Sequence, residues 1–254
     1  DTAITTPEGQ WLGNSAMFYD QLAKQKEIHP GLNKGELSAM IDPLLEAVYL
    51  RVPVQLTDQS LPRTLRKLQH KGVTVIGMTA RGDSIRQVTL KQLKQVGLAF
   101  SDLGKHRTLK LDGARTVHIE QGVVFVSHGN SKGETLIRLL KDGGGGAPDQ
   151  VILIDDRQQH LTDVAAALSS SLPAIHYYPV FCDFPQKRPS FNREAAEVQL
   201  FHFLVKYQKD SPVNQLIQQD NFTRDFIRRC PDIQPGERCK KLLFRVQGSP
   251  FSGS

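Results

Sequence analysis

The sequence has few cysteines and no long hydrophobic run. Three cysteines occur in 254 residues, and they lack the repeated pairing of a structural zinc site. Cys230 and Cys239 lie close together in sequence and either form a disulfide in an oxidising compartment or remain free thiols. No apolar stretch is long enough to span a membrane, and no signal peptide is visible. We therefore predict a chain without a zinc-binding framework or a transmembrane helix.

The chain also lacks a dense basic run, although it is basic overall. Its 32 Lys and Arg exceed its 26 Asp and Glu, and the net charge of +6 favours anionic partners. The charges are scattered, and no motif of a nucleic-acid-binding module accompanies them, so we predict no nucleic-acid partner. The basic C-terminal segment 206–254 either contacts an acidic membrane surface or packs on the core.

Helical and strand-like patterns alternate along the chain. Apolar residues at helical spacing predict helices over 12–28, 35–50, 57–71, 84–96, 132–140, 161–168 and 193–206. Asn14 or Ser15 is the candidate N-cap of the first helix. Short apolar runs predict strands over 73–78, 117–119, 123–127, 151–154 and 174–178, and residues 120–122 are predicted to join the second and third of these as a hairpin. This alternation predicts an α/β fold with a Rossmann-like, mostly parallel sheet and helices on both faces. Ligands bind such sheets beyond the C-terminal ends of the strands.

Polar residues follow two of these strands. A hydroxyl and backbone N–H groups at Thr79, Ala80 and Arg81 can bind a phosphoryl group. Asp155 and Asp156 follow the cleanest buried strand, and adjacent carboxylates there become favourable when a divalent cation lies beside them. Each feature alone has an ordinary structural explanation, such as a helix cap. Together they favour a site for a phosphate and a metal.

A lysine and two histidines complete the set of candidate side chains. Lys132 opens a helix, where the helix dipole disfavours a cation, so we expect a functional anion as its partner. His29 and His160 are interpreted as ordinary loop or helix-surface histidines. A hydroxyl, a lysine and an acidic pair thus follow one another in this order, each at a strand end or a helix start. A separate structural explanation for each of the three is therefore insufficient.

This order resembles the motifs of the haloacid dehalogenase (HAD) superfamily. Thr79 resembles the second motif of that family, Lys132 in Asn-Ser-Lys-Gly the third, and Asp155-Asp156 the fourth. The stretch from Leu12 to Tyr19 and the Thr-Ala-Arg and Asn-Ser-Lys-Gly phrases are also similar to a bacterial HAD-like branch, some of whose members are secreted effectors with phosphatase activity. The resemblance implies a secreted or periplasmic phosphomonoester hydrolase, with phosphotyrosine on a protein or a small phosphomonoester as substrate.

The resemblance also implies roles for individual residues and a domain plan. Thr79, Ala80 and Arg81 would bind the phosphate, Lys132 would neutralise its charge, and Asp155 and Asp156 would hold Mg²⁺. The expected core comprises residues 1–11 and 71–205, with a helical cap at 12–70 and a C-terminal extension at 206–254.

The first motif of the family, a strand ending in Asp-x-Asp-x-Thr, fits the start of the chain in two registers. In one, Asp1 is both nucleophile and metal ligand, the carbonyl of Ala3 is a further ligand, and Ala3 replaces the general acid. In the other, Asp1-Thr2 ends the motif and both catalytic carboxylates lie upstream; the spacing to Pro7 favours this register. Since no strand precedes Asp1, we expect either a longer natural protein or a degenerate binding module.

Overall fold

The computed structural model describes residues 2–104, 106–127, 129–142, 147–184, 189–210 and 213–214. The helices are α1 Ser15–Ile28, α2 Lys34–Tyr49, α3 Leu61–His70, α4 Arg86–Gln95, α5 Lys132–Asp142, α6 Gln158–Ser171 and α7 Arg193–Tyr207. The strands are β1 Ile4–Thr5, β2 Gln55–Leu56, β3 Gly77–Thr79, β4 Arg107–Lys110, β5 Thr116–Glu120, β6 Val123–Phe125, β7 Gln150–Asp155 and β8 His176–Phe181. Asp1, Cys230, Cys239 and most of the C-terminal extension lie outside the described residues.

The strands form three small sheets, and the fold is mixed α/β. One sheet has the order β3-β6-β5-β4, in which β3 and β6 are parallel and the other neighbours antiparallel. The strands β7 and β8 form a parallel pair, and β1 and β2 an antiparallel pair. The predicted α/β class is therefore confirmed. The single Rossmann-like sheet stays a prediction, because the described strands lie in separate sheets.

The predicted hairpin is confirmed as β5 and β6. Glu120 pairs with Val123, so the connection is the two-residue loop Gln121-Gly122. Both loop residues have positive φ, 51° and 73°, as a type I′ turn requires. A Cβ on Gly122 would lie 2.4 Å from the carbonyl oxygen of Ser101, so this position needs glycine for steric reasons as well.

Helices α1, α2 and α7 share one apolar cluster. Phe18 of α1, Leu45 of α2 and Phe203 of α7 are buried in it, next to Ile85 and Val88 before and within α4. Ion pairs between α1 and α7 border this cluster, including Lys24–Glu197 at 3.0 Å. Residues of the expected cap thus pack against the last helix of the expected core. The division into core and cap stays a prediction.

Local sequence signals account for the starts of these helices. The Asn14 side chain accepts a hydrogen bond from the N–H of Ala16, confirming the predicted N-cap of α1. Asn33 and Glu36 form a reciprocal capping box at the start of α2. Within the described ranges, none of the helices combines the length and apolarity needed to cross a bilayer.

Candidate functional site

A cavity of about 630 Å³ lies beyond the C-terminal ends of β3 and β7. Its wall comes from these strand ends, from residues 2–4, from the starts of α5 and α6, and from α1 and α2. Every predicted site residue that the structure describes lines it: Ala3, Thr79, Ala80, Arg81, Lys132, Asp155 and Asp156. Asp1, the remaining predicted site residue, lies outside the described residues.

The inner cluster of this cavity consists of Lys132, Asp155 and His160. Lys132 Nζ lies 2.6 Å from Asp155 Oδ2, and the two residues are only 7% and 2% exposed. Lys132 Nζ also donates to the carbonyl oxygen of Met78, at 3.2 Å. The other carboxylate oxygen of Asp155 lies 3.0 Å from His160 Nδ1 and accepts the N–H of Arg157 at 2.9 Å. Asp155 is therefore an anionic partner of Lys132 within the protein itself, and the expected functional anion stays a prediction.

The environment of Asp155 stabilises its ionised form. Burial by itself would raise the pKa of this carboxyl, but the hydrogen bond with His160 and the charge of Lys132 outweigh burial and lower the pKa to about 2. His160 was interpreted from the sequence as a surface histidine, and that interpretation misses its contact with Asp155. The position of His160 in the first turn of α6, shortly after Asp155 and Asp156, could have indicated this contact from the sequence.

The start of α5 is fixed by contacts with α6. The hydroxyl of Ser131 and the N–H of Gly133 both donate to the carboxylate of Asp163, and Gly133 N lies 3.0 Å from Asp163 Oδ2. A Cβ on Gly133 would lie 2.7 Å from the Cβ of Ala167, so glycine permits the close approach of the two helices. These contacts fix the helix residue, Lys132, that reaches across to β3 and β7.

The loop after β3 is tied to two helices through Arg81. Its guanidinium lies 4.1 Å from the ring centroid of Tyr49 in α2 and donates to Thr89 and to Gln92 in α4, at 3.2 and 2.8 Å. The backbone N–H of Arg81 donates to Thr79 Oγ1. These contacts hold the loop in position, while the predicted binding of a phosphate by Thr79, Ala80 and Arg81 stays a prediction.

The start of the chain lies against the end of β7. Thr2 Oγ1 donates to Asp156 Oδ1 at 2.5 Å and accepts the N–H of Asp156. The carbonyl oxygen of Ala3 accepts a hydrogen bond from the N–H of Thr57 at 3.1 Å. The Thr57 hydroxyl, which has one hydrogen to donate, lies 2.8 Å from the carbonyl oxygen of Thr2 and 3.2 Å from that of Ala3. The predicted role of the Ala3 carbonyl as a metal ligand stays a prediction.

Carboxylate oxygens of the kind that Mg²⁺ prefers are present at this edge of the cavity, in Asp155 and Asp156. Among the residues that the structure describes, no group of three or more His, Cys, Asp or Glu side chains could hold a metal ion. The two carboxylates thus fit Mg²⁺ in chemical kind, because Mg²⁺ is commonly held by one or two carboxylates together with waters. The predicted Mg²⁺ site stays a prediction.

Three further side chains of the cavity wall, which we call the entrance cluster, are Tyr19, Lys34 and Arg157. The guanidinium carbon of Arg157 lies 4.8 Å from the ring centroid of Tyr19, and Lys34 Nζ lies 6.0 Å from it. Arg157 also donates to the Tyr19 hydroxyl. No sequence pattern marks this cluster, because Tyr19 and Arg157 are 138 residues apart.

One family model matches the part of the chain that contains this cavity. A family model described as a protein of unknown function (DUF2608) matches residues 2–211. No curated protein and no solved structure matches the chain. The family match includes every described residue of the cavity wall, so inner and entrance clusters both lie within it.

Proposed function

We propose that this chain, which belongs to the DUF2608 family, is a Mg²⁺-dependent phosphomonoester hydrolase that acts through an aspartyl-phosphate intermediate. The observation that carries the proposal is the position of Lys132. Its ammonium group is buried between the carbonyl of Met78 in β3 and the carboxylate of Asp155 in β7, in the wall of a cavity that Thr79 also lines. A buried lysine beside a hydroxyl and two carboxylates suits the binding of a phosphoryl group.

The sheet arrangement supports a HAD-like core for this proposal. Both β3–β6 and β7–β8 are parallel pairs, and β3 and β7 each have one edge without a strand partner in the described part of the chain. Lys132 contacts the ends of both strands, so these ends point to the same side of the molecule. In the proposed core the two pairs are parts of one sheet, and the strand that ends in the nucleophile lies between them.

The two carboxylates at the end of β7 suit a divalent cation. Asp155 and Asp156 are adjacent and line the same cavity as Lys132 and Thr79, so a phosphate bound at Lys132 and Thr79 would lie near two negative charges. Asp156 would hold Mg²⁺, with Asp155 beside it and Asp1 or an upstream aspartate as a further ligand, and the ion would supply positive charge next to the phosphate. Turnover is therefore expected to depend on the metal.

The remaining chemistry falls to side chains of the protein. The Thr79 hydroxyl and neighbouring N–H groups orient the phosphate, and Lys132 neutralises part of its charge. An aspartate oxygen, of Asp1 or of an upstream residue, forms a bond to phosphorus while the bond to the leaving oxygen breaks. The leaving oxygen takes up a proton from the second aspartate of the motif, or from water in the register that has Ala3 at that position. Water then attacks the aspartyl-phosphate, which releases phosphate and regenerates the carboxylate.

A second candidate function is a binding module that has lost the chemistry. The observation that favours it is the saturation of Asp155, since Lys132, His160 and the Arg157 N–H engage both of its oxygens without a metal. The presence of Ala3 at the general-acid position in one register points the same way. The proposed contact of such a module with an acidic membrane rests on residues 206–254, most of which lie outside the described ranges.

Hydrolysis of para-nitrophenyl phosphate by the purified full-length protein distinguishes the two candidates. With Mg²⁺ we expect turnover that EDTA removes and that Thr79→Val lowers, because the variant loses the phosphate-orienting hydroxyl. Thr64→Val is the matched control, since Thr64 is exposed on α3 outside the cavity, and it should retain wild-type turnover. A folded protein without turnover under either condition would favour the binding module.

A further inference from the structure

The entrance cluster holds two cations against an aromatic ring. Tyr19 is 39% exposed, and its ring is approached by the guanidinium of Arg157 and the ammonium of Lys34. All three side chains line the same cavity as Lys132 and Asp155. Cation–π contacts hold a positive group in position without cancelling its charge. The cluster therefore presents fixed positive charge at the wall of the cavity.

Lys34 and Arg157 have no acidic partner in the part of the chain that the structure describes. Among the residues that the structure describes, neither Lys34 nor Arg157 lies within ion-pair distance of a carboxylate, whereas Lys24 lies 3.0 Å from both Asp20 and Glu197. Lys34 is the first residue of α2 and Arg157 the N-cap of α6, where the helix dipoles add to the positive potential. Such positions disfavour cations unless an anion compensates them.

The inner cluster and the entrance cluster line one cavity of about 630 Å³, a volume typical of a site for one small molecule. Arg157 follows Asp155 by two residues, and its N–H donates to Asp155 Oδ1 at 2.9 Å. One small molecule in this cavity can therefore contact side chains of both clusters. The planar guanidinium is suited to bidentate contact with a carboxylate or phosphate.

We infer that the substrate is a small phosphomonoester with a second anionic group, a carboxylate or a second phosphate, which Lys34 and Arg157 bind beside the ring of Tyr19. This inference rests on the proposed function for the phosphate at Thr79 and Lys132. When bound, the second anion accepts hydrogen bonds from the guanidinium of Arg157 and neutralises positive charge of the entrance cluster.

A pair of substrates that differ by one carboxylate tests the inference. With Mg²⁺, kcat/KM should be about tenfold higher for 4-carboxyphenyl phosphate than for phenyl phosphate, as expected for one or two charge-assisted hydrogen bonds. Arg157→Gln and Lys34→Gln should each bring this ratio towards one. Lys71→Gln, at the exposed C-terminal end of α3 outside the cavity, is the control and should retain the wild-type ratio. Equal kcat/KM for the two substrates in the wild-type protein would overturn the inference.

A binding measurement separates this inference from the proposed function. The dissociation constants of 3-phosphonopropionate and propylphosphonate, which are not hydrolysed, can be compared by calorimetry with the full-length protein and Mg²⁺. Tighter binding of 3-phosphonopropionate, lost in Arg157→Gln, would support the second anion site even if no phosphomonoester were turned over. Turnover of phenyl phosphate together with equal binding of the two phosphonates would retain the phosphatase and reject the second anion site.

Discussion

The inner cluster and the entrance cluster line one cavity but hold their cations in different ways. Lys132 is buried and ion-paired with Asp155, which His160 also contacts. Arg157 is partly exposed and rests on the ring of Tyr19. A buried ammonium group requires a counter-charge, whereas an exposed guanidinium keeps water as a partner. The inner charges are therefore paired within the protein before any ligand binds, whereas Lys34 and Arg157 have no carboxylate partner in the described part of the chain.

Removing the counter-charge of Lys132 should have the largest effect. Asp155→Asn leaves the buried ammonium group without an anion, and we expect a loss of about 3–5 kcal/mol in the free energy of unfolding. Chemical denaturation of the variant and the wild type measures this loss. A loss below about 1 kcal/mol in the free energy of unfolding would show that Asp155 is not the buried counter-charge that Lys132 needs.

Acid should weaken the inner cluster without any substitution. The pKa of Asp155 is about 2 in the folded protein and ordinarily 3.8, so the folded state binds its proton more weakly than the unfolded state. The ionised carboxylate thus contributes about 2 kcal/mol above pH 4, and this is lost as the pH falls towards 2. Measured with EDTA present, the stability gap between wild type and Asp155→Asn should narrow over that range. A stability difference that stays constant from pH 4 to pH 2 would contradict the lowered pKa of Asp155 in the folded protein.

The entrance cluster should matter least for stability. Arg157→Gln removes one cation–π contact at a partly exposed site, and we expect a loss of about 0.5–1 kcal/mol in the free energy of unfolding. The same denaturation series measures it. A loss as large as that of Asp155→Asn would mean that Arg157 belongs to the framework, and the contrast between the two clusters would disappear.

Local features of the fold were predictable from the sequence, whereas long-range packing was not. The helical spacing over 12–28 and the cap at Asn14 depend on neighbouring residues, and both predicted α1. The observed helix begins at Ser15 and not at residue 12. The pairing of α7 with α1 depends on contacts such as Lys24–Glu197, which are 173 residues apart. The periodicity of either helix shows that one face is apolar and does not show which helix covers it.

The same distinction applies to the site. Thr79, Lys132 and Asp155 were found because each follows a strand or opens a helix, and the structure brings all three to one cavity. The partner of Lys132 was predicted only as an anion, since the sequence does not show that β3 and β7 end beside it. The entrance cluster gave no signal, because a tyrosine and an arginine far apart in sequence are common and their contact arises only on folding.

Asp156 offers the most direct test of the proposed phosphatase. It is only partly buried and lies outside the ion pair of Lys132, so Asp156→Asn can remove a proposed metal ligand without leaving that lysine unpaired. The measurement is hydrolysis of para-nitrophenyl phosphate by full-length Asp156→Asn with Mg²⁺, alongside its thermal unfolding. We predict a folded variant whose turnover falls to that of the EDTA-treated wild type. A folded variant with wild-type, EDTA-sensitive turnover would contradict the account.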